Sequence, residues 1–219
     1  MDFDTLKQKF ENEDVTLVAV SKTHHPKEIK KIYNKGQFDF GENRVQELME
    51  KVDLLPHDIR WHMVGHLQSN KVKDLIPFIH LIHSVDRFSL AKEIQKQAKR
   101  YQRKISVLLQ FKIAQEDSKH GIDPKNLKQF MDEFIKRNYD HIEVKGVMGM
   151  ATFTDDQDQV RKEFKLLNEI YHQLKEDYFK DDEEFKIKSY GMSGDYEIAI
   201  EEGSNMVRIG TLIFGERNQ

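Results

Sequence analysis

Cysteine is absent from this chain of 219 residues. Disulfides, thiolate metal sites and cysteine nucleophiles are therefore excluded. No stretch approaches the ~18 consecutive apolar residues of a membrane-spanning helix. The opening residues Met1-Asp2-Phe3-Asp4 are acidic, and they lack the basic start and apolar run of a secretion signal. A cytoplasmic protein is the expectation. An excess of basic charge is missing as well: the net charge is -3, which gives no electrostatic footprint for nucleic acid. No Ser/Gly-rich linker divides the sequence, so one domain over residues 1–219 is expected.

What is present is polar but foldable, with 33% charged and 38% hydrophobic residues. The stretch Val15-Thr16-Leu17-Val18-Ala19-Val20 is almost unbroken in its apolar character. Such a run suits a strand covered on both faces, as parallel strands are. Ser21 and Lys22 follow at its carboxyl end, and Pro26 then opens a helix that Gly36 ends. The same alternation recurs along the chain. Further strands are expected at 38–40, 61–64, 79–83, 105–111, 144–148, 187–190 and 206–209. Helices are expected near 43–52, 71–76, 87–101, 124–134, 155–178 and 196–201. In the longest of these, Val160, Phe164, Leu167, Tyr171, Leu174 and Tyr178 share one face. Eight strands alternating with helices is the count of a (β/α)8 TIM barrel, with a doubly wound open sheet as the alternative.

In either fold, ligands bind at the carboxyl ends of the strands. Lys22 stands at such an end, although most lysines are simply solvated. After the seventh strand comes Gly191-Met192-Ser193-Gly194-Asp195, leading straight into a helix, and after the eighth comes Gly210-Thr211. Glycines admit close backbone approach, and helix starts offer free N–H groups. The two segments read as a phosphate cradle, or alternatively as turn punctuation. A lysine amine forms Schiff bases with carbonyls. An aldehyde cofactor or substrate that carries a phosphate fits both features. Pyridoxal 5'-phosphate (PLP) is one such compound, and a sugar phosphate in an aldolase-type reaction is another. For the aldolase reading the lysine would be Lys145, on the sixth strand, unless it faces outward between inward-facing Val144 and Gly146. The histidines give no metal signature: His62 and His66 are separated by a strand end and Gly65, and His24-His25 and His80/His83 lack a carboxylate pattern.

Six ordered motifs then carry a resemblance over nearly the whole chain. They are Val18-Ala19-Val20-Ser21-Lys22, Phe40-Gly41-Glu42-Asn43, the stretch from Trp61-His62-Met63-Val64-Gly65 to Ser69-Asn70-Lys71, His83-Ser84-Val85-Asp86, Gly191-Met192-Ser193-Gly194-Asp195, and Val207-Arg208-Ile209-Gly210-Thr211. Together they resemble the pyridoxal phosphate homeostasis protein family, whose barrel is similar to the N-terminal domain of alanine racemase. The resemblance implies that Lys22 holds PLP as a Schiff base. It implies that Ser193, Gly210 and Thr211 hold the phosphate, that Arg208 faces the pyridine nitrogen, and that Asn43 and His62 line the pocket near the ring. An arginine at that nitrogen keeps it unprotonated and weakens the cofactor as an electron sink.

The sequence departs from the family pattern in a short N-terminal helix and in Ser204-Asn205, where Ser-Thr is expected. It ends at Gln219, soon after the last strand, without room for the second, β-rich domain of the racemases. The expectation is therefore a monomeric PLP-binding protein without strong catalysis. It would bind, buffer and transfer PLP within the cell and so influence amino-acid and keto-acid balance, with PLP-dependent apoenzymes as acceptors. The rival readings are a PLP-dependent racemase, a class I aldolase-like enzyme and a scaffold that binds no cofactor.

Overall fold

The computed structural model describes residues 2–116 and 119–215. Its core is a closed barrel of eight parallel strands in chain order. The strands are β1 (Thr16–Val20), β2 (Asp39–Glu42), β3 (Arg60–Met63), β4 (Leu81–Val85), β5 (Ile105–Gln110), β6 (Ile142–Met148), β7 (Ile187–Ser189) and β8 (Met206–Ile209). Closure comes from β1 pairing with β8, with Val18 opposite Arg208 and Ala19 opposite Ile209. The barrel, rather than the open sheet, is the fold.

Helices connect the strands: α1 (Phe3–Asn12), α2 (Pro26–Tyr33), α3 (Val45–Val52), α4 (Val72–Leu75), α5 (Phe88–Arg100), α6 (Leu127–Lys136), α7 (Gln157–Asp177), α8 (Tyr196–Glu201) and α9 (Thr211–Phe214). Local chemistry explains their ends. The Asp2 side chain accepts from the Thr5 amide and starts α1. His25 and Glu28 form a capping box at α2 ahead of Pro26. Asp156 caps α7 by accepting from the amides of Asp158 and Gln159, so α7 begins slightly later than its apolar periodicity suggests. At α3 the capping position belongs to Arg44, which makes no side-chain cap, so the helix begins slightly later than expected.

Strand alternation sorts side chains between two cores. Leu17, Val207 and Ile209 point outward to Phe3, Leu6 and Phe10 of α1, so the short N-terminal helix still buries its apolar face. Val18, Val20, Leu81, Leu108, Met148 and Met206 cluster inside the barrel. Burying one such Val or Leu side chain contributes roughly 1.5–3 kcal/mol. In β6 the register shifts against β5 near Val107 and Leu108. Gly146 takes φ +152, and a Cβ there would stand 1.8 Å from the Ile187 carbonyl oxygen. The bulge also reverses the expected facing: Val144 packs in the outer core, with Val147.

Candidate functional site

Lys22 lies just past β1, in a turn that buried groups hold from behind. The Ser21 hydroxyl donates to Glu42 Oε1 at 2.6 Å. Lys51 Nζ, reaching up from α3, donates to the Ser21 carbonyl at 2.8 Å and to Glu42 Oε1 and Glu47 Oε1, both at 2.7 Å. The Thr23 amide donates to the same Glu47 oxygen. Thr23 itself has φ +68, an uncommon conformation for a β-branched residue. Ser21 and Glu42 are fully buried and Lys51 nearly so. Burial raises the Glu42 carboxyl, and the Lys51 ammonium and the Ser21 hydroxyl only partly offset this. The turn carrying Lys22 is thus fixed by an ion pair below the rim.

The end of β8 lies beside this turn. A Cβ on Gly210 would stand 3.2 Å from the Val20 carbonyl oxygen, so the Gly210-Thr211 segment leaves the sheet against the base of the Lys22 turn. Past the end of β7, Gly191 at φ +96 lets the chain pass so close to Ala199 that a Cβ would be 2.6 Å from that methyl. Met192 is tied back by its amide to Asp195 Oδ1 at 2.6 Å. The following Gly194 faces open space, with nothing within 4 Å of a Cβ. Burial raises the Asp195 carboxyl, and the bond from Met192 and the charge of Arg208 act against that.

Arg208 is the buried cation of the barrel, 4% exposed. Nη1 donates to the Ser189 carbonyl at 2.7 Å and to its hydroxyl oxygen at 2.8 Å, and Nη2 donates to the Gly149 carbonyl at 3.0 Å. Burial lowers the guanidinium to about 10, with Asp195 opposing; it stays charged at neutral pH.

His62 lies deeper than the rim. Its ring is 1% exposed, with Nε2 3.0 Å from Asp39 Oδ1 and Nδ1 2.9 Å from His83 Nε2. His83, fully buried, places Nδ1 3.1 Å from the Ser189 hydroxyl. Asp39 also receives two bonds from Arg60, at 2.8 and 2.5 Å. Burial alone would raise the Asp39 carboxyl, but the bonds from Arg60 and His62 hold it far below the usual carboxylate range.

Lys22, Asn43, Ser193, Gly210 and Thr211 therefore all follow strand ends at one face of the barrel. Asn43 packs its backbone against Gly65, where a Cβ would stand 2.2 Å from the Asn43 carbonyl oxygen. Arg208 is inside the barrel, and His62 reaches it only through His83 and Ser189. Sequence reading missed the Glu42–Lys51–Glu47 clamp and the Asp39–His62–His83–Ser189 chain. The available signals were the i,i+4 pair Glu47/Lys51 and the placement of His83 two residues beyond inward-facing Leu81.

Histidine–carboxylate proximity is greater than the sequence suggested. His24 Nδ1 lies 3.2 Å from Glu28. Two groups come within metal-ligating reach among the described residues, Asp39/His62/His80 and His66/Asp86/His120. In the first, Arg60 already neutralises Asp39. In the second, Arg87 occupies Asp86 Oδ1 at 2.7 Å and brings a positive charge. Lys145, the alternative Schiff-base lysine, pairs with Glu143 at 3.0 Å and with Glu184 at 3.6 Å. Glu184 precedes β7, so Lys145 belongs to the opposite end of the barrel from Lys22. No helix among the described residues is long and apolar enough to cross a membrane.

Comparison with known proteins agrees with this architecture. The family model for the alanine racemase N-terminal domain matches residues 2–218. The pyridoxal phosphate homeostasis protein of Aquifex aeolicus is 41% identical, over 92% of this chain and 86% of that protein. The human protein of the same name is 36% identical, over 92% and 76%. Among solved structures, PipY of Synechococcus elongatus with PLP bound superposes with a TM-score of 0.81 at 31% identity, covering 92% of this chain and 93% of that one. Alanine racemase of Clostridium difficile shares the fold at a TM-score of 0.70 and 19% identity, over 100% of this chain and 62% of that one. With a family model spanning nearly the whole chain and relatives this similar, the protein belongs to the pyridoxal phosphate homeostasis protein family, on the alanine racemase N-terminal domain fold.

Proposed function

We propose that this chain binds PLP on the rim formed by β1, β7 and β8 and serves to hold, buffer and pass on the cofactor within the cell. The observation that carries the reading is the juxtaposition across the β1–β8 closure. Val18 is in register with Arg208, and Gly210 rests on the Val20 carbonyl, so the Lys22 turn, the Gly210-Thr211 segment and a buried guanidinium come from neighbouring strands. Family membership and a PLP-bound relative of similar fold support it.

The donor chemistry fits PLP. Lys22 would hold the group through its amine, a nucleophile suited to the aldehyde that such a cofactor would supply. The hydroxyls of Ser193 and Thr211 and the backbone N–H of Gly210 are donors for phosphate oxygens, beside the starts of α8 and α9. Open space at Gly194 leaves room for the group. Arg208 commits both terminal nitrogens to Ser189 and Gly149, and Nε–H remains as a donor for a ring nitrogen. A donor there disfavours protonation of that nitrogen, which suits a carrier better than a carbanion-stabilising enzyme. Asn43 borders the same rim, and His62 contributes from below. The unit that does this is one barrel, acting as a monomer, with PLP-dependent apoenzymes as recipients.

The test is an absorption spectrum with added PLP, for wild type and Lys22→Ala. A visible Schiff-base band in wild type and its loss in the variant are expected. No band in wild type would overturn the cofactor reading. A band that survives in Lys22→Ala would move the attachment to another lysine.

A further inference from the structure

We propose that His62 and His83 are positioning residues for Arg208, members of a one-way hydrogen-bond relay through the barrel interior that fixes how the guanidinium meets the ring nitrogen of a bound cofactor. The inference rests on the reading of Arg208 given above and extends it to groups that touch no cofactor.

The relay is continuous. Arg208 Nη1 lies 2.8 Å from Ser189 Oγ, which lies 3.1 Å from His83 Nδ1. His83 Nε2 lies 2.9 Å from His62 Nδ1, and His62 Nε2 lies 3.0 Å from Asp39 Oδ1. Four strands that are not all neighbours, β8, β7, β4 and β3, contribute to it, and it ends at the first residue of β2.

Its direction follows from donor counting. Arg208 can only donate, and ionised Asp39 can only accept. His62 therefore donates from Nε2 to Asp39. In its neutral form it accepts at Nδ1, so His83 donates from Nε2. His83 then has its lone pair on Nδ1 and accepts the Ser189 hydroxyl proton. Ser189 Oγ is left with lone pairs for Arg208. With His62 neutral, each of the four contacts then joins one donor to one acceptor.

The surroundings favour that arrangement. His83 is fully buried and faces Arg208, His62 and His80, and burial above all, with the Arg208 charge beside it, lowers its pKa. Beyond Asp39 the next charge is Arg60, which neutralises the carboxylate. His80 packs 5.3 Å from the His62 ring, centroid to centroid, and burial lowers its pKa to about 4. The relay thus joins a buried cation to an anion at the far end, each bond polarising the next. Ser189 is the control point. Its hydroxyl would otherwise rotate, and its orientation decides whether Oγ presents a lone pair to Arg208.

The experiment uses the full chain with 15N-labelled histidine. Ring spectra of the cofactor-free protein report the tautomers. Absorption titrations with PLP report affinity and the pH profile of the bound band. The variants are His62→Phe, whose ring fills the space but offers neither a donor to Asp39 nor an acceptor to His83, and Asp39→Asn, which removes the terminal charge without changing shape.

Wild type is expected to show His62 and His83 as neutral Nε2–H rings. In His62→Phe, His83 loses its acceptor and should turn to Nδ1–H, with PLP binding weakened about tenfold, as for loss of one hydrogen bond to a charged group, and with a displaced pH profile. Asp39→Asn should move the profile in the same sense, so a folding failure in one variant leaves the other to decide. A wild-type His83 with Nδ1–H, or variants with unchanged tautomers, affinity and profile, would overturn the relay. Wild-type protein that shows the expected tautomers but takes up no PLP would overturn the reading of Arg208, and with it the positioning role.

Discussion

Lys51 Nζ and Glu42 Oε1 meet at 2.7 Å directly behind the turn that presents Lys22. Both groups are buried, and the ammonium also holds the Ser21 carbonyl and Glu47. Removing one partner of a buried pair strands the other, which costs more than the pair itself contributes. Lys51→Met should therefore lower stability by about 3–5 kcal/mol. Thermal or urea unfolding measures this. The loss should shrink at acid pH, where Glu42 can take up a proton, and the double variant Glu42→Gln/Lys51→Met should recover part of it. Equal losses in the single and double variants would exclude a stranded charge as the cause.

The phosphate assignment separates from the aldehyde chemistry. Ser193→Ala combined with Thr211→Val removes two hydroxyl donors. Each hydrogen bond to a charged group contributes roughly 1.5–3 kcal/mol. Affinity for PLP should fall at least about tenfold, while affinity for pyridoxal, which lacks the phosphate, should be nearly unchanged. A parallel loss for both ligands would remove these hydroxyls from the phosphate site.

At Gly65 the constraint is backbone against backbone. A Cβ would approach the Asn43 carbonyl oxygen to 2.2 Å, and no flexible side chain can give way. Gly65→Ala should cost about 1–3 kcal/mol or more, as overpacking does. It should also displace the rim after β2. Denaturant unfolding reads the first effect, and PLP affinity reads the second.

The pH dependence of stability carries a signature of His83. Burial holds its pKa in the fold well below the ordinary histidine value of about 6.5. Below that value the unfolded chain binds a proton that the native ring refuses. Stability from this group is thus complete above pH ~6.5 and is lost as pH falls, by about 1.4 kcal/mol per pH unit. Glu42, raised by burial above the ordinary carboxylate range, has the opposite sign: the native state gains stability from it as pH falls. His83→Gln should flatten the acid decline beginning near pH 6.5, and Glu42→Gln should steepen the decline at lower pH. Unfolding midpoints across pH 4.5–7.5 would show both.

The sequence by itself determined the strand count, the order of the elements and the rim. Apolar runs such as Val15–Val20 and the periodicity of α7 are local properties, and glycines flanking a helix start mark the turn after a strand. The positions of Lys22, Ser193, Gly210 and Thr211 past strand ends were legible for that reason, and so was the family. Only the tertiary structure decided the rest. Whether eight strands close depends on β1 meeting β8, a pairing of the two ends of the sheet that no periodicity encodes. The facing of Val144 turned on one bulge at Gly146. The partners of Arg208 and His62 come from strands spread around the barrel, because a closed sheet brings every inward side chain to a shared axis. Hydrogen bonds across that axis depend on strand register and tilt, which are set by the whole barrel and by no single segment.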